Sequence, residues 1–490
     1  MKNFIKLSLL FFSLFFLNEI TFALDIIYPQ KVNCSTQSEE TYILGNITPN
    51  SDLTINNEKV KIWDNNIFCH IVKLQDGKNE IKIEEKSQNG VISKIYTVTK
   101  YNFQNQQKIS KNCSSNKTKI FNDLMFGKVI LQDAPIREKP SENGNRISHL
   151  PLNTVLLIQA ENDNWYKIYT ANEKENIWIS KKNVKLLYPT NNRYVANIKN
   201  VEFCHDKNFQ TMKIYFDIPI PYKMLEINND IDITLWGIKD ISKIQKAVKK
   251  QKIFDNIQIK NFENNNMTLS IESNKNLFGY DAYYENNTFV FKKRKIPKIS
   301  SKKPLGNIIV AIDAGHGGKE LGTVGPERIP EKDINLAISL KLKDCLEQQG
   351  AKVIMTRCED KDVEIYQRPD IANENNALIL ISIHANSMVD GNPYKNHGVE
   401  TYYYHNQAKN LADIIKKQMV NDLKLKDNGT KYASFVLTRP TMPISVLIEV
   451  AYMPNPEEYL LLINDDFQQN TAISITKGIK NYFLNMYNFK

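Results

Sequence analysis

The spacing of apolar residues changes character along this chain. From residue 24 to about 100, apolar and polar residues alternate in short runs such as Thr41-Tyr-Ile-Leu-Gly45, Val60-Lys-Ile-Trp63 and Glu80-Ile-Lys-Ile-Glu84. Asn56-Asn57, Asp64-Asn-Asn66 and Asp76-Gly77 punctuate them. Alternation broken by turn formers predicts half-buried strands, hence a small β-sandwich over 24–100. Residues 101–127 are rich in Gln, Asn, Ser and Lys and read as a linker. Short β-rich runs return at 128–188, where Trp165-Tyr-Lys-Ile168 and Ile177-Trp-Ile179 stand out, and again at 194–291. Within the latter, Ile241, Ile244 and Val248 recur at helical spacing. Residues 292–306 read as a basic, solvated linker. At Ile308 the pattern changes. Ile308-Ile-Val-Ala-Ile312 and Leu378-Ile-Leu-Ile-Ser-Ile383 are continuous apolar runs, as in buried parallel strands. Further strands are expected at 351–355, 399–404 and 446–450. Helices are expected at 332–348, 366–376, 407–422 and 471–483. Strands alternating with helices predict a three-layer α/β domain over 307–488. The fold class is therefore multidomain, with a C-terminal α/β domain behind small all-β domains.

The N-terminus adds a compartment. Lys2 and Lys6 precede the apolar run Leu9–Leu17, and Thr21-Phe-Ala23 closes it. A basic start, a short apolar core and a small exit residue predict a signal peptide over 1–23. The rival reading is an uncleaved anchor, but the run is short for a bilayer. No later stretch of about 20 apolar residues follows. The expectation is an exported protein of the periplasm, cell wall or extracellular space, with no membrane insertion after signal cleavage. Hydrophobic residues at 42% and charged residues at 24% exclude a mainly disordered chain and a polytopic membrane protein. Lys+Arg 64 against Asp+Glu 54 leaves +10, spread along the length. That suits adhesion to an anionic polymer, and nucleic acid is not an expected partner. None of the six cysteines forms a CxxC pair, which argues against a zinc ribbon. Cys34 and Cys69 share one β unit and either pair or stay as thiols.

Candidate chemistry gathers where the apolar runs end. His316 lies in the glycine-rich turn Asp313-Ala-Gly-His-Gly-Gly318, and Glu331 opens the following helix. His384 follows the next apolar strand in Ser382-Ile-His-Ala-Asn386, and Glu449 sits in Val446-Leu-Ile-Glu-Val-Ala-Tyr452. Two His and one Glu suit a catalytic Zn²⁺ that keeps an open position for water. A separate carboxylate must then move the proton from water to the leaving amine. The ends of strands in an open α/β sheet are where such a site forms. Each residue also has a plain structural reading: a satisfied polar His, an acid favoured in a first helical turn, or a strand carboxylate with a partner.

The resemblance then becomes specific. Residues 308 to 485 resemble the catalytic domain of zinc-dependent N-acetylmuramoyl-L-alanine amidases. The matching pieces are Ile312-Asp-Ala-Gly-His-Gly-Gly318, Glu331-Lys-Asp-Ile-Asn-Leu-Ala337, Thr356-Arg357, Ser382-Ile-His-Ala-Asn386, Gly398-Val-Glu-Thr-Tyr402 and Ile448-Glu with Asn455-Pro-Glu. The resemblance implies His316, Glu331 and His384 as zinc ligands and Glu449 as the catalytic acid/base. It implies peptidoglycan as substrate, cut between N-acetylmuramic acid and L-alanine. Ala314 replaces a common Pro. Ser387 to His397 is too short for the inhibitory helix that some members carry there. Upstream, 24–100 resembles bacterial Ig-like domains and 128–188 a bacterial SH3-like domain, with Ile177 replacing the usual Gly before Trp178. Trp165 and Trp178 are either groove aromatics for wall peptide or barrel core. Residues 194–291 resemble a wall-targeting amidase module. Removing 24–300 is expected to leave an active enzyme that adsorbs poorly to the wall. His397 is a candidate substrate contact, His405 a weaker one, and Arg357 and Arg368 are expected to hold loops or helix ends. An activator protein remains an unknown partner. The rival readings are a non-catalytic wall-binding protein and a zinc hydrolase of another amide, such as a deacetylase.

Overall fold

The structure, a computed structural model, describes residues 24–101 and 118–487 apart from 132–133, 151, 153, 171–175, 187–194, 228 and 274–276. The expected signal peptide at 1–23 lies outside the described residues. The chain forms two compact units.

The first unit contains residues up to Asn102 together with two later segments, Gly325–Arg328 and Met388–Asn392. Strands Asp25–Tyr28, Glu40–Asn46 and Ile67–Lys73 form one antiparallel sheet. Asn33–Thr36, Gly90–Lys100, Gly77–Ser87, Asp52–Ile55 and Glu58–Lys59 form a second. Alternate residues of the strands, among them Ile43, Leu53, Ile55, Phe68, Ile81 and Ile83, share one buried core. Their removal from water drives the sandwich together. Cys34 is a free thiol, so the Cys34–Cys69 pair is not formed.

The second unit carries the rest. A seven-stranded antiparallel sheet runs from Lys119 to Leu186. Its strand Lys119–Val129 corrects the linker expected at 101–127. Phe126 and Val129 are buried along it, and its polar residues had masked the alternation. Trp165 and Trp178 are both buried. Tyr166, Ile168, Ile177 and Ile179 belong to the core of the sheet, and strand alternation sets Trp165 and Trp178 on the opposite face, where they are covered. Two four-stranded sheets follow, made from strands between Ile198 and Arg294, with helix Ser242–Lys250 beside them. Ile214, Phe216, Ile233, Leu235, Leu269 and Phe291 fill the space between the sheets. Strand Thr288–Arg294 runs into the expected basic linker, with Lys293 and Arg294 buried, so the tether cannot begin at 292.

The C-terminal sheet has six strands in the order Lys352–Met355, Ile309–Ala314, Ile379–Asn386, Ile444–Tyr452, Val399–Tyr403, Asp427–Tyr432. The first four run parallel, and only the Val399–Tyr403 pairing with Ile444–Tyr452 is antiparallel. Helices Glu331–Gln348 and Asn406–Leu423 both pack on the long closing helix Asp465–Met486. Gly478 permits a close crossing there: a Cβ would lie 2.8 Å from the Cα of Ile415. Ala311, Leu380, Ala372 of helix Gln367–Glu374 and Leu437 form a separate buried cluster. The result is an α/β domain whose three central parallel strands end on one edge.

Candidate active site

His316 follows the strand Ile309–Ala314, His384 lies near the end of Ile379–Asn386, and Glu449 near the end of Ile444–Tyr452. These strands are neighbours and parallel, so their carboxyl ends meet. Glu331 is the first residue of its helix. His316 Nε2 lies 3.2 Å from Glu331 Oε1, and His384 Nδ1 lies 3.1 Å from the same oxygen. All three donor atoms fall within 4.8 Å of one another. A tetrahedral zinc with ligands at about 2.1 Å has ligand–ligand edges of about 3.4 Å, so the donor set fits such an ion.

The local backbone makes this convergence possible. A Cβ on Gly315 would lie 2.3 Å from His384 Cε1, and one on Gly322 2.5 Å from Glu331 Oε2. His316 itself has φ +61, a left-handed conformation that a non-glycine residue holds only when its surroundings enforce it. Two buried arginines do so. Arg357 donates to the carbonyls of Ala314, Gly315 and Lys332, and Arg368 to those of Ala314 and His316. Asp313, fully buried, accepts from Arg368, Thr356 and Ser382 and anchors the strand end. Both arginines therefore hold the glycine-rich loop, as expected.

Electrostatics separates the carboxylates. Burial pushes the Glu331 carboxyl up, but hydrogen bonds from His316 and His384 overcome it and leave it well below the usual range. Glu449 is different. Its Oε2 is buried and has no hydrogen-bond partner. Burial first, then the charges of Glu331 and Glu400, raise its carboxyl well above the ordinary carboxylate value, against an opposing pull from Lys431. Glu449 is registered with His384 on one side and with Glu400 on the other, so the three form a row across the sheet.

Glu400 is a residue that the motif contained but sequence reasoning left without a role. It is fully buried and takes Lys431 Nζ at 2.7 Å, the Tyr402 hydroxyl at 2.5 Å, and the donors of Tyr452 and Asn428. Burial works against its charge, but these donors win, and its carboxyl lies below the usual value. The signal was present: an acid between Val399 and Thr401 in an apolar strand needs partners. Which partners was not readable.

The outlying histidines divide. His397 Nδ1 lies 2.9 Å from Glu458 Oε1, and Glu458 also accepts from the backbone N–H of Tyr452. His405 is elsewhere, with Nε2 2.8 Å from the carbonyl of Arg439 and Nδ1 3.8 Å from Glu226. It is not part of this constellation. No helix occurs between Asn386 and Val399.

The N-acetylmuramoyl-L-alanine amidase family (Amidase_3) matches residues 310–481. A germination-specific N-acetylmuramoyl-L-alanine amidase of Bacillus subtilis is 33% identical over 198 residues, covering 37% of this chain and 81% of that protein. The chain belongs to this amidase family. It is a peptidoglycan hydrolase. An uncharacterized Bacillus subtilis protein, YqiI, is 36% identical over 192 residues, covering 38% of this chain and 90% of that protein. The amidase AmiC2 of Nostoc punctiforme is 37% identical, with a TM-score of 0.34, 36% of this chain covered and 96% of that structure. Among the described residues of this amidase no helix is long and apolar enough to cross a membrane.

Proposed function

We propose that this amidase hydrolyses the amide between N-acetylmuramic acid and the L-alanine of the stem peptide, with Zn²⁺ held by His316, Glu331 and His384 and with Glu449 as acid/base. The observation that carries the reading is a three-donor cluster at the carboxyl ends of parallel strands, whose His384 is the register partner of Glu449, a carboxyl with a buried, unpartnered oxygen. When bound, zinc lowers the pKa of water toward about 7 and polarises a carbonyl. The residues of the chain do the rest. Glu331, kept ionised, supplies a hard oxygen donor between two imidazole nitrogens. Arg357 and Arg368 hold the loop that presents His316. Glu449 takes the proton of the attacking water at its carboxylate and returns it to the departing L-alanine nitrogen. Glu400 beside it, whose donors hold its carboxyl below the usual value, raises the Glu449 carboxyl and so favours the protonated form, the form needed to deliver a proton to that nitrogen.

The further parts of the reading concern placement. An exported protein with Ig-like (24–100), SH3-like (128–188) and wall-targeting (194–291) modules would be delivered to peptidoglycan by those modules. The family membership and the +10 charge support that placement. Mass analysis of purified peptidoglycan after incubation tests the bond assignment. Free stem peptides beginning with L-alanine are the expected product. Cut glycan bonds or lost acetyl groups in their place would overturn it.

A further inference from the structure

The first unit is built around more than its own strands. Segments Gly325–Arg328 and Met388–Asn392 belong to it, and both adjoin metal-site residues in the chain. Arg328 stands three residues before Glu331, and Met388 four after His384. The strands Asp25–Tyr28 and Glu40–Asn46 grip both segments. Arg328 makes a two-pronged contact with Asp25, Nε to Oδ2 at 2.9 Å and Nη2 to Oδ1 at 2.7 Å. Buried Asn46, the register partner of Asp25, accepts the backbone N–H of Glu327 at 2.8 Å. The rings of Tyr28 and Tyr42 stack at 4.1 Å. Their hydroxyls donate to the carbonyls of Val389 and Met388, the latter at 3.0 Å.

The gripped backbone is strained. Glu327 and Arg328 have φ +56 and +60. Non-glycine residues in that region persist only where neighbouring structure over-determines them. Here the over-determining groups are Asn46 and Asp25. A chain advances at most about 3.5 Å per residue, so a segment three or four residues from a ligand passes its displacement on with little slack.

We propose that the first β-sandwich is a positioning element for the hydrolytic reaction: Asp25, Asn46, Tyr28 and Tyr42 clamp the segments 325–328 and 388–392, and through them fix Glu331 and His384. This rests on the amidase reading above. It gives the sandwich a role distinct from adhesion to the wall.

The test uses the full-length protein. Tyr28→Phe with Tyr42→Phe keeps the stacked rings and removes both hydroxyls. Asp25→Arg and Arg328→Asp each break the fork, and the two together restore opposite charges. Hydrogen exchange of peptides covering 321–331 and 384–392 should rise about tenfold in the tyrosine double variant and in each charge reversal. The kcat for a soluble muropeptide should fall about tenfold, with melting temperature and pelleting on sacculi unchanged, and the charge swap should recover most of the loss. A wall-adhesion role would instead change pelleting and leave kcat on the soluble fragment intact. Unchanged exchange overturns the clamp, and raised exchange with unchanged kcat overturns its positioning role. If charge reversal lowers the melting temperature, the conservative tyrosine variant decides. A wild-type enzyme that released no stem peptide would sink the amidase reading, while exchange would still report on the clamp.

Discussion

Glu449 and Glu400 show how two carboxylates directly opposite each other on neighbouring strands acquire opposite character. Glu400 has its donors and a carboxyl below the usual value, while Glu449 Oε2 has none. Glu449→Gln keeps the shape but cannot take a proton. Turnover should fall about 10²–10⁴-fold, with metal content and substrate binding near wild type, as measured by steady-state kinetics and elemental analysis on one preparation. A zinc-loaded, stable variant with wild-type turnover would reject the role. His384→Ala removes one of three donors, and zinc should be lost on dialysis. Full zinc retention by that variant would show that the ligand assignment is wrong.

The element that matters most is the turn between Ile309–Ala314 and Glu331–Gln348. Its glycines are needed where side chains of other elements pass. The Cβ of Gly315→Ala would sit 2.3 Å from the His384 ring, a distance that forces the ring aside. Zinc affinity should drop at least about tenfold, while thermal stability changes less than in a core truncation. Titration with a competing chelator reads the first quantity and a melting curve the second. A variant with native affinity would mean that the ring relaxes freely. Gly318 and Lys319 are held by their N–H groups to Asp360 and Asp362, so the turn is restrained from a second side as well.

At the scale of the whole second unit, the β regions and the catalytic sheet are not separable pieces. Phe278 is buried and stacks on Phe483 of the closing helix at 6.3 Å. The N–H groups of Gly279 and Tyr280 bond to Gln407 and Thr441, and Trp236 joins the core of the seven-stranded sheet. Removing 24–300 would therefore strip a packed face, and the expectation of an undamaged catalytic fragment needs revision. Phe278→Ala should destabilise by about 3 kcal/mol or more in denaturant unfolding. A loss under about 1 kcal/mol would mean that the contact carries little. The same face encloses Glu226, which burial raises to about 7, and His405, which burial lowers to about 4. For Glu226 the folded protein binds the proton more tightly than the unfolded chain. Its contribution is intact below pH 4.5 and is lost as pH rises toward 7. Glu226→Gln should leave the melting temperature nearly unchanged at pH 4.5 and raise it relative to wild type at pH 8. An equal offset at both pH values would show that the carboxyl is not held protonated.

The sequence by itself determined the C-terminal α/β architecture, because buried parallel strands read as continuous apolar runs and amphipathic helices keep their period. It also placed His316, Glu331, His384 and Glu449, because each stands at the end of such a run or at a helix start, where a local pattern suffices. It missed the strand Asp427–Tyr432, whose residues Asp-Asn-Gly-Thr-Lys-Tyr have no apolar period and which pairs only at the sheet edge. It likewise took the polar strand Lys119–Val129 for a linker. Tertiary structure alone decided that Arg357 and Arg368 converge on one loop, that Lys431 and three further donors surround Glu400, and that Trp165 and Trp178 are covered on the face opposite the core of their sheet. It alone showed strands near the amino terminus gripping segments some 280 to 360 residues later. Those outcomes depend on which distant groups satisfy a buried charge or carbonyl. Local periodicity records only that such a group must be satisfied, not by whom.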